Sequence, residues 1–311
     1  GSNSFAGLTT FANTGTLTLG DEATDSTTFT GGVTATAPSS VTLQGNLSSV
    51  NSNISLGDAG TPVVLASNLT ASAGSGDITF GGTVNGAFDL VANSTGTTTF
   101  GGVVGGGNPL TSLITNTGGT ARLNGNVTTN GPIDFREQLF LDADLTLTSG
   151  GGTIDTAAVE GPGNLTVNAG AGVTTFGGAM GSGTAVGGGT GAAITINSAG
   201  TTEFGTTVNT ASGIVQSVGA GTITFRDDVT LGAGDTAATF AESVVLDGLV
   251  MNSDVAVTFG DALGDALTTT LVGVTINTTN LPVTVNATTT LSSADLTIST
   301  DTGAGDIAFN A

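Results

Sequence analysis

The stretch TTFGGVV, Thr98–Val104, decides the fold, because close variants of it recur along the chain. It reads ITFGGTV at Ile78–Val84, TTFGGAM at Thr174–Met180, TEFGTTV at Thr202–Val208, ITFRDDV at Ile223–Val229 and VTFGDAL at Val257–Leu263. An early copy, TTFTGGV, spans Thr27–Val33. VTLQGNL at Val41–Leu47, ARLNGNV at Ala121–Val127 and IDFREQL at Ile133–Leu139 are looser variants that fill the longer gaps. A supersecondary unit repeated every few tens of residues is the mark of a solenoid, because one unit cannot bury its apolar face and a stack of them can. The period is loose, about 20–28 residues with some half steps.

Within each phrase apolar residues alternate with Thr or Ser. That period of two belongs to a half-buried strand. Phe, Val and Leu are expected inward, and Thr and Ser outward. The Gly after Phe is expected to supply a positive φ at a sharp corner. Asn124–Gly125, Asn130–Gly131 and Asp247–Gly248 are turn signals. Each unit is thus expected to hold two or three short strands. At roughly 22 residues per coil the chain makes about 14 coils, forming a single continuous β-solenoid domain over residues 1–311. The Gly-rich run Gly177–Gly191 is expected to protrude as a loop. Pro132–Asp144 is the least repeat-like segment and is expected to be strand with a modest irregularity.

Composition narrows function by exclusion. The 311 residues include no Lys, His, Cys, Trp or Tyr, and the formal charge is −21. Arg122, Arg136 and Arg226 are the only basic side chains, so a nucleic-acid partner is excluded: neutralising phosphates takes Lys and Arg. No apolar run approaches the length of a membrane-spanning helix, and no membrane insertion is expected. Without His there is no Ser–His–Asp triad. The best carboxylate pair, Asp227–Asp228, is read as two charges at a turn rather than a glycosidase dyad, and the chain is expected not to be an enzyme. Acidic residues near Gly make calcium a candidate cofactor, with Asp21, Glu22, Asp25, Asp261 and Asp265 as the candidate ligands. None of these segments matches an EF-hand or the nonapeptide calcium repeat.

The repeat texture reaches both extremities. TTF occurs at Thr9–Phe11, and GDIAFNA at Gly305–Ala311 echoes GDITFGG at Gly76–Gly82. An uncovered solenoid coil exposes unpaired backbone groups that favour pairing with another strand. The expectation is end-to-end self-assembly, with Phe5, Leu8 and Phe11 of one copy meeting Ile307 and Phe309 of the next.

Phrases such as TTTFGGVVGGG, GTITF and NGNVTTNG resemble the β-strand repeats of large exported bacterial proteins, the autotransporter-associated and filamentous-haemagglutinin-like passengers. The resemblance implies an all-β, right-handed parallel β-helix at the cell surface or outside the cell, in a structural or adhesive role. The expected function is that of a structural subunit of an extracellular filament, sheath or surface layer. The alternative is an adhesin passenger segment that binds a surface glycan or receptor.

Overall fold

The computed structural model describes residues 1–260, 265–291, 295–301 and 305–310. Among them there is no helix. Short parallel strands stack as a β-solenoid of about 14 turns, with about 21 residues per turn. Contacts group the chain into two compact units, Gly1–Thr156 and Ala157–Ala311, each built on the same plan.

One coil of the first unit shows that plan. It runs through Ser26–Phe29, Val33–Ala35 and Ser40–Leu43, three strands separated by tight turns. Each strand pairs in parallel with its counterpart one coil on: Phe29 lies opposite Ser49, Ala35 opposite Leu56 and Leu43 opposite Leu65. Three faces result. In the second unit the first face includes Thr174–Phe176, Thr202–Phe204 and Ile223–Phe225. The second face includes Val229–Leu231, Val250–Ser253, Thr275–Thr278 and Thr297–Ser299. The third includes Ala238–Phe240, Val257–Phe259, Val283–Val285 and Ile307–Phe309.

All seven phrase Phe residues (29, 80, 100, 176, 204, 225 and 259) point inward and are at most 1% exposed. They do not mark one face, however. Phe80 and Phe100 sit in register on the second face of the first unit. Phe176, Phe204 and Phe225 lie on the first face of the second unit, and Phe259 on its third. This explains the loose spacing. In-register neighbours are separated by one coil, whereas the step from Phe225 to Phe259 also crosses to another face. Coil-to-coil stacking brings Phe176, Phe204 and Phe225 to centroid distances of 4.8 and 4.7 Å with nearly parallel rings. Such pairs add about 0.5–1.5 kcal/mol beyond area burial.

Two details of the phrase differ from the sequence reading. First, the residue two before Phe shares its inward side, so Thr98, Thr174 and Thr202 are buried rather than outward. Their hydroxyls have no hydrogen-bond partner among the described residues. Strand alternation forces this, because positions i and i+2 face the same way. Second, Gly81 and Gly101 do not use a positive φ. A Cβ on Gly81 would stand 2.5 Å from the Gly57 carbonyl oxygen, and one on Gly101 would stand 2.6 Å from that of Gly81. Close approach of successive coils, not left-handed backbone, requires glycine at these two corners.

Asn and Asp side chains tie coils together at the turns. Asn53 Oδ1 accepts the Asp77 N–H at 2.9 Å, and Asp77 Oδ1 accepts the Thr97 N–H at 2.8 Å. Asn46 and Asn68 do the same for Thr70 and Asp89. These contacts satisfy backbone donors where the strand ladder begins. Pro132–Asp144 conforms to the plan, with strands at Ile133–Phe135 and Gln138–Leu141.

Candidate assembly surfaces and buried carboxyls

Of the predicted assembly residues, Phe5, Ile307 and Phe309 lie on strands at the edges of their ladders, while Leu8 and Phe11 flank the short strand Thr9–Thr10. Ser2–Phe5 pairs with Ser26–Phe29. Phe5 stacks on Phe29 at 4.9 Å, while its other side leaves it 43% exposed. Leu8 is 69% exposed. Phe11 is half-buried and meets Phe29 edge-on at 6.1 Å. Ile307 and Phe309 lie opposite Val283 and Val285 and are also exposed. Phe204, by contrast, is covered on both sides by rings and is 1% exposed.

The acidic candidates separate into different roles. Asp25 is buried, and its carboxylate accepts the N–H groups of Asp21 (2.8 Å) and Glu22 (3.1 Å) and contacts the Gly1 amine. The amine contact, followed by these backbone donors, holds Asp25 well below the usual carboxylate range. Asp21 and Glu22 themselves point to solvent. The segment is therefore a turn organised around Asp25, and its three carboxylates are not grouped so as to hold a metal ion. Asp261 lies outside the described residues. The backbone of Asp265 is in strand, in register with Ala287. Among the described residues, no group of three or more acidic side chains is placed to hold a metal ion. Asp227 and Asp228 are exposed turn caps: Asp227 Oδ1 accepts the Asp228 N–H, and Asp228 Oδ1 accepts the Val250 N–H one coil on.

The three arginines are all ion-paired. Arg226 bridges Glu203 and Asp247, Arg136 pairs with Asp134, and Arg122 pairs with Asp142 while lying 4.5 Å from the Phe140 ring centroid. The pairing with Arg226 lowers the Glu203 carboxyl from its ordinary value.

Two buried glutamates escaped the sequence reading. Glu160 is 4% exposed. It accepts the Ser182 hydroxyl at 2.7 Å and the N–H groups of Gly183 and Thr184. Burial pushes its carboxyl up, but these donors outweigh burial and leave it below the ordinary value. Glu160 thereby latches the Gly177–Gly191 run. Only part of that run is free of the core: Ser182–Thr184 are exposed, whereas Met180 and Val186 are buried and bridge to Val208 and Thr210.

Glu137 is 2% exposed, and neither carboxyl oxygen has a hydrogen-bond partner among the described residues. It occupies a corner whose neighbouring coil carries Gly119, where a Cβ would come 2.8 Å from Glu137 Oε2. Gly119 adopts φ +101°, so both space and backbone favour glycine there. Burial pushes the Glu137 carboxyl up to about 7; the Thr115 hydroxyl opposes the rise without reaching hydrogen-bond geometry. The one sequence signal for Glu137 is its even spacing from Ile133 and Phe135, which places it on the inward side.

No protein-family model matches this chain, and no curated protein or solved structure matches it.

Proposed function

We propose that this chain is a structural β-solenoid that builds an extracellular filament, sheath or surface layer by continuing its ladders into further solenoid coils. One observation carries the reading. Phe5 occupies an inward position of the kind Phe204 occupies, yet only one of its sides is covered. Exposed Leu8 lies near that edge, and Ile307 and Phe309 form a second apolar edge. An added coil pairs the free backbone edge and covers these side chains at once. Between copies the contact is heterologous, head to tail, and such contacts propagate into open filaments. The chain's −21 charge opposes the approach of copies, so salt screening favours assembly. The exported β-strand-repeat proteins that the phrases resemble fit the same role.

Negative-stain imaging of purified protein at rising ionic strength tests this reading. Fibres that vanish in a Phe5→Asp, Phe309→Asp variant are expected. Dispersed particles at every salt and calcium concentration would sink the reading. The second reading, a segment of an adhesin, is favoured by the polar groove on the second face described next.

A further inference from the structure

The second face of the second unit carries a concavity of about 280 Å³. It lies at the lower edge of the roughly 300–1,000 Å³ typical of small-ligand sites. Its floor is a row of outward side chains in strict register. Thr230 lies opposite Asn252, Asn252 opposite Asn277 and Asn277 opposite Ser299. Parallel pairing sets these groups about 4.8 Å apart along the stacking direction. The Asn277 amide nitrogen donates to Asn252 Oδ1 at 3.0 Å, which fixes both side chains. The Asn252 amide nitrogen and the Asn277 carbonyl remain available, with no hydrogen-bond partner among the described residues.

A second row follows the rim. Thr279 donates its hydroxyl to Asp254 Oδ1 at 3.1 Å. The rim is held by inward residues: Ser253 donates to the Val255 carbonyl at 2.7 Å, and Thr278 to the Leu281 carbonyl at 2.6 Å. Beyond Asp254 a second hollow, of about 250 Å³, continues past Asp235 and Thr236.

The chemistry of these walls selects the ligand. Among the described residues the only apolar one lining the first hollow, Leu231, is fully buried, so an apolar ligand finds no apolar side chain to pack on there. No Arg or Lys lines either hollow and Asp254 borders both, so anions are repelled. What remains is a row of flat amides and hydroxyls offering both donors and acceptors at a regular spacing, with a carboxylate beside it. That pattern suits a ligand whose groups both donate and accept, as sugar hydroxyls do. We propose that this groove binds a neutral oligosaccharide, laid along the row from Thr230 to Ser299. The site is argued apart from the filament reading, because it uses none of the exposed apolar residues Phe5, Leu8, Phe11, Ile307 and Phe309.

Titration of the full chain with neutral hexasaccharides (cello-, chito-, malto-, laminari- and mannohexaose), alongside polygalacturonate, tests the proposal. At least one neutral hexasaccharide is expected to bind and to shift the backbone amide signals of residues 230, 252–254 and 277–279. An Asn252→Ala, Asn277→Ala variant is expected to bind it at least tenfold more weakly, with an unchanged thermal midpoint. If that variant unfolds, the signal shifts on the unsubstituted chain decide alone. Lack of binding by all five neutral sugars, binding unchanged in a folded variant, shifts confined to other residues, or tighter binding of polygalacturonate would each overturn the proposal.

Discussion

Glu137 in the first unit and Glu160 in the second are about equally buried, at 2% and 4% exposure, yet they are opposite cases. Glu160 has a hydroxyl and two backbone N–H groups arranged around its carboxylate, and its acidity is strengthened. Glu137 has no side-chain hydrogen-bond partner among the described residues, and burial pushes its carboxyl up to about 7. The lesson is that burial alone does not fix the charge of an inward acid in this coil; the turn supplied by the neighbouring coil does. A Gly-rich excursion bends its amides over Glu160, whereas Gly119 leaves space beside Glu137 and no donor.

The largest expected effect that probes this contrast is a pH response of Glu137. A carboxyl raised in the folded state binds its proton more tightly there than in the unfolded chain. Its stabilisation is full below the unfolded value of about 4.3 and is lost as pH rises through about 7. The other charged groups nearby, the Asp134–Arg136 pair on the same coil and Asp77 three coils away on the same corner, retain partners of their own. Glu137→Gln should remove about 3 kcal/mol of stability loss between pH 4.5 and 8. Urea midpoints across that range check it, and parallel profiles for the two proteins would break the contrast.

Glu160 carries the opposite sign. Its lowered carboxyl stabilises the fold above the unfolded value, and that contribution fades as pH falls through the folded value. Glu160→Ala leaves the Gly183 and Thr184 N–H groups and the Ser182 hydroxyl without their acceptor. A loss of about 2 kcal/mol is expected at pH 7, together with faster hydrogen exchange confined to residues 181–185. Unchanged exchange there would mean that the excursion is held by something other than Glu160.

The smallest effect concerns the inward threonines. Thr202 is 1% exposed, its hydroxyl is unpartnered, and Ile223 holds the same position on the next coil. Thr202→Val should stabilise the chain by about 1 kcal/mol. A destabilised variant would show that the hydroxyl has a partner, such as a bound water, and that Thr202 belongs with Glu160 rather than Glu137.

Much of this was legible in the phrase itself. The strand, the inward Phe and the stacked coil follow from alternation and repetition, and all seven phrase Phe residues are buried as read. The turn role of Asp227 and Asp228 was legible too. The groove at Asn252 and Asn277 was not, because those residues are separated by 25 positions and only coil register makes them neighbours. Nor could the Gly177–Gly191 run show its own division into buried and exposed parts, since Met180 enters the core by bridging to Val159 and Val208 on the coils before and after it.

The sequence by itself determined the local period of two, the coil that repeats it, and a strongly acidic composition with few cations. Those are properties of neighbouring residues and of composition. Only the tertiary structure decided which face each phrase occupies, why Gly81 and Gly101 must be glycine, and which buried acid keeps its charge. Each of these depends on atoms about one coil away in sequence but only a strand spacing away in space, and no local pattern encodes that register.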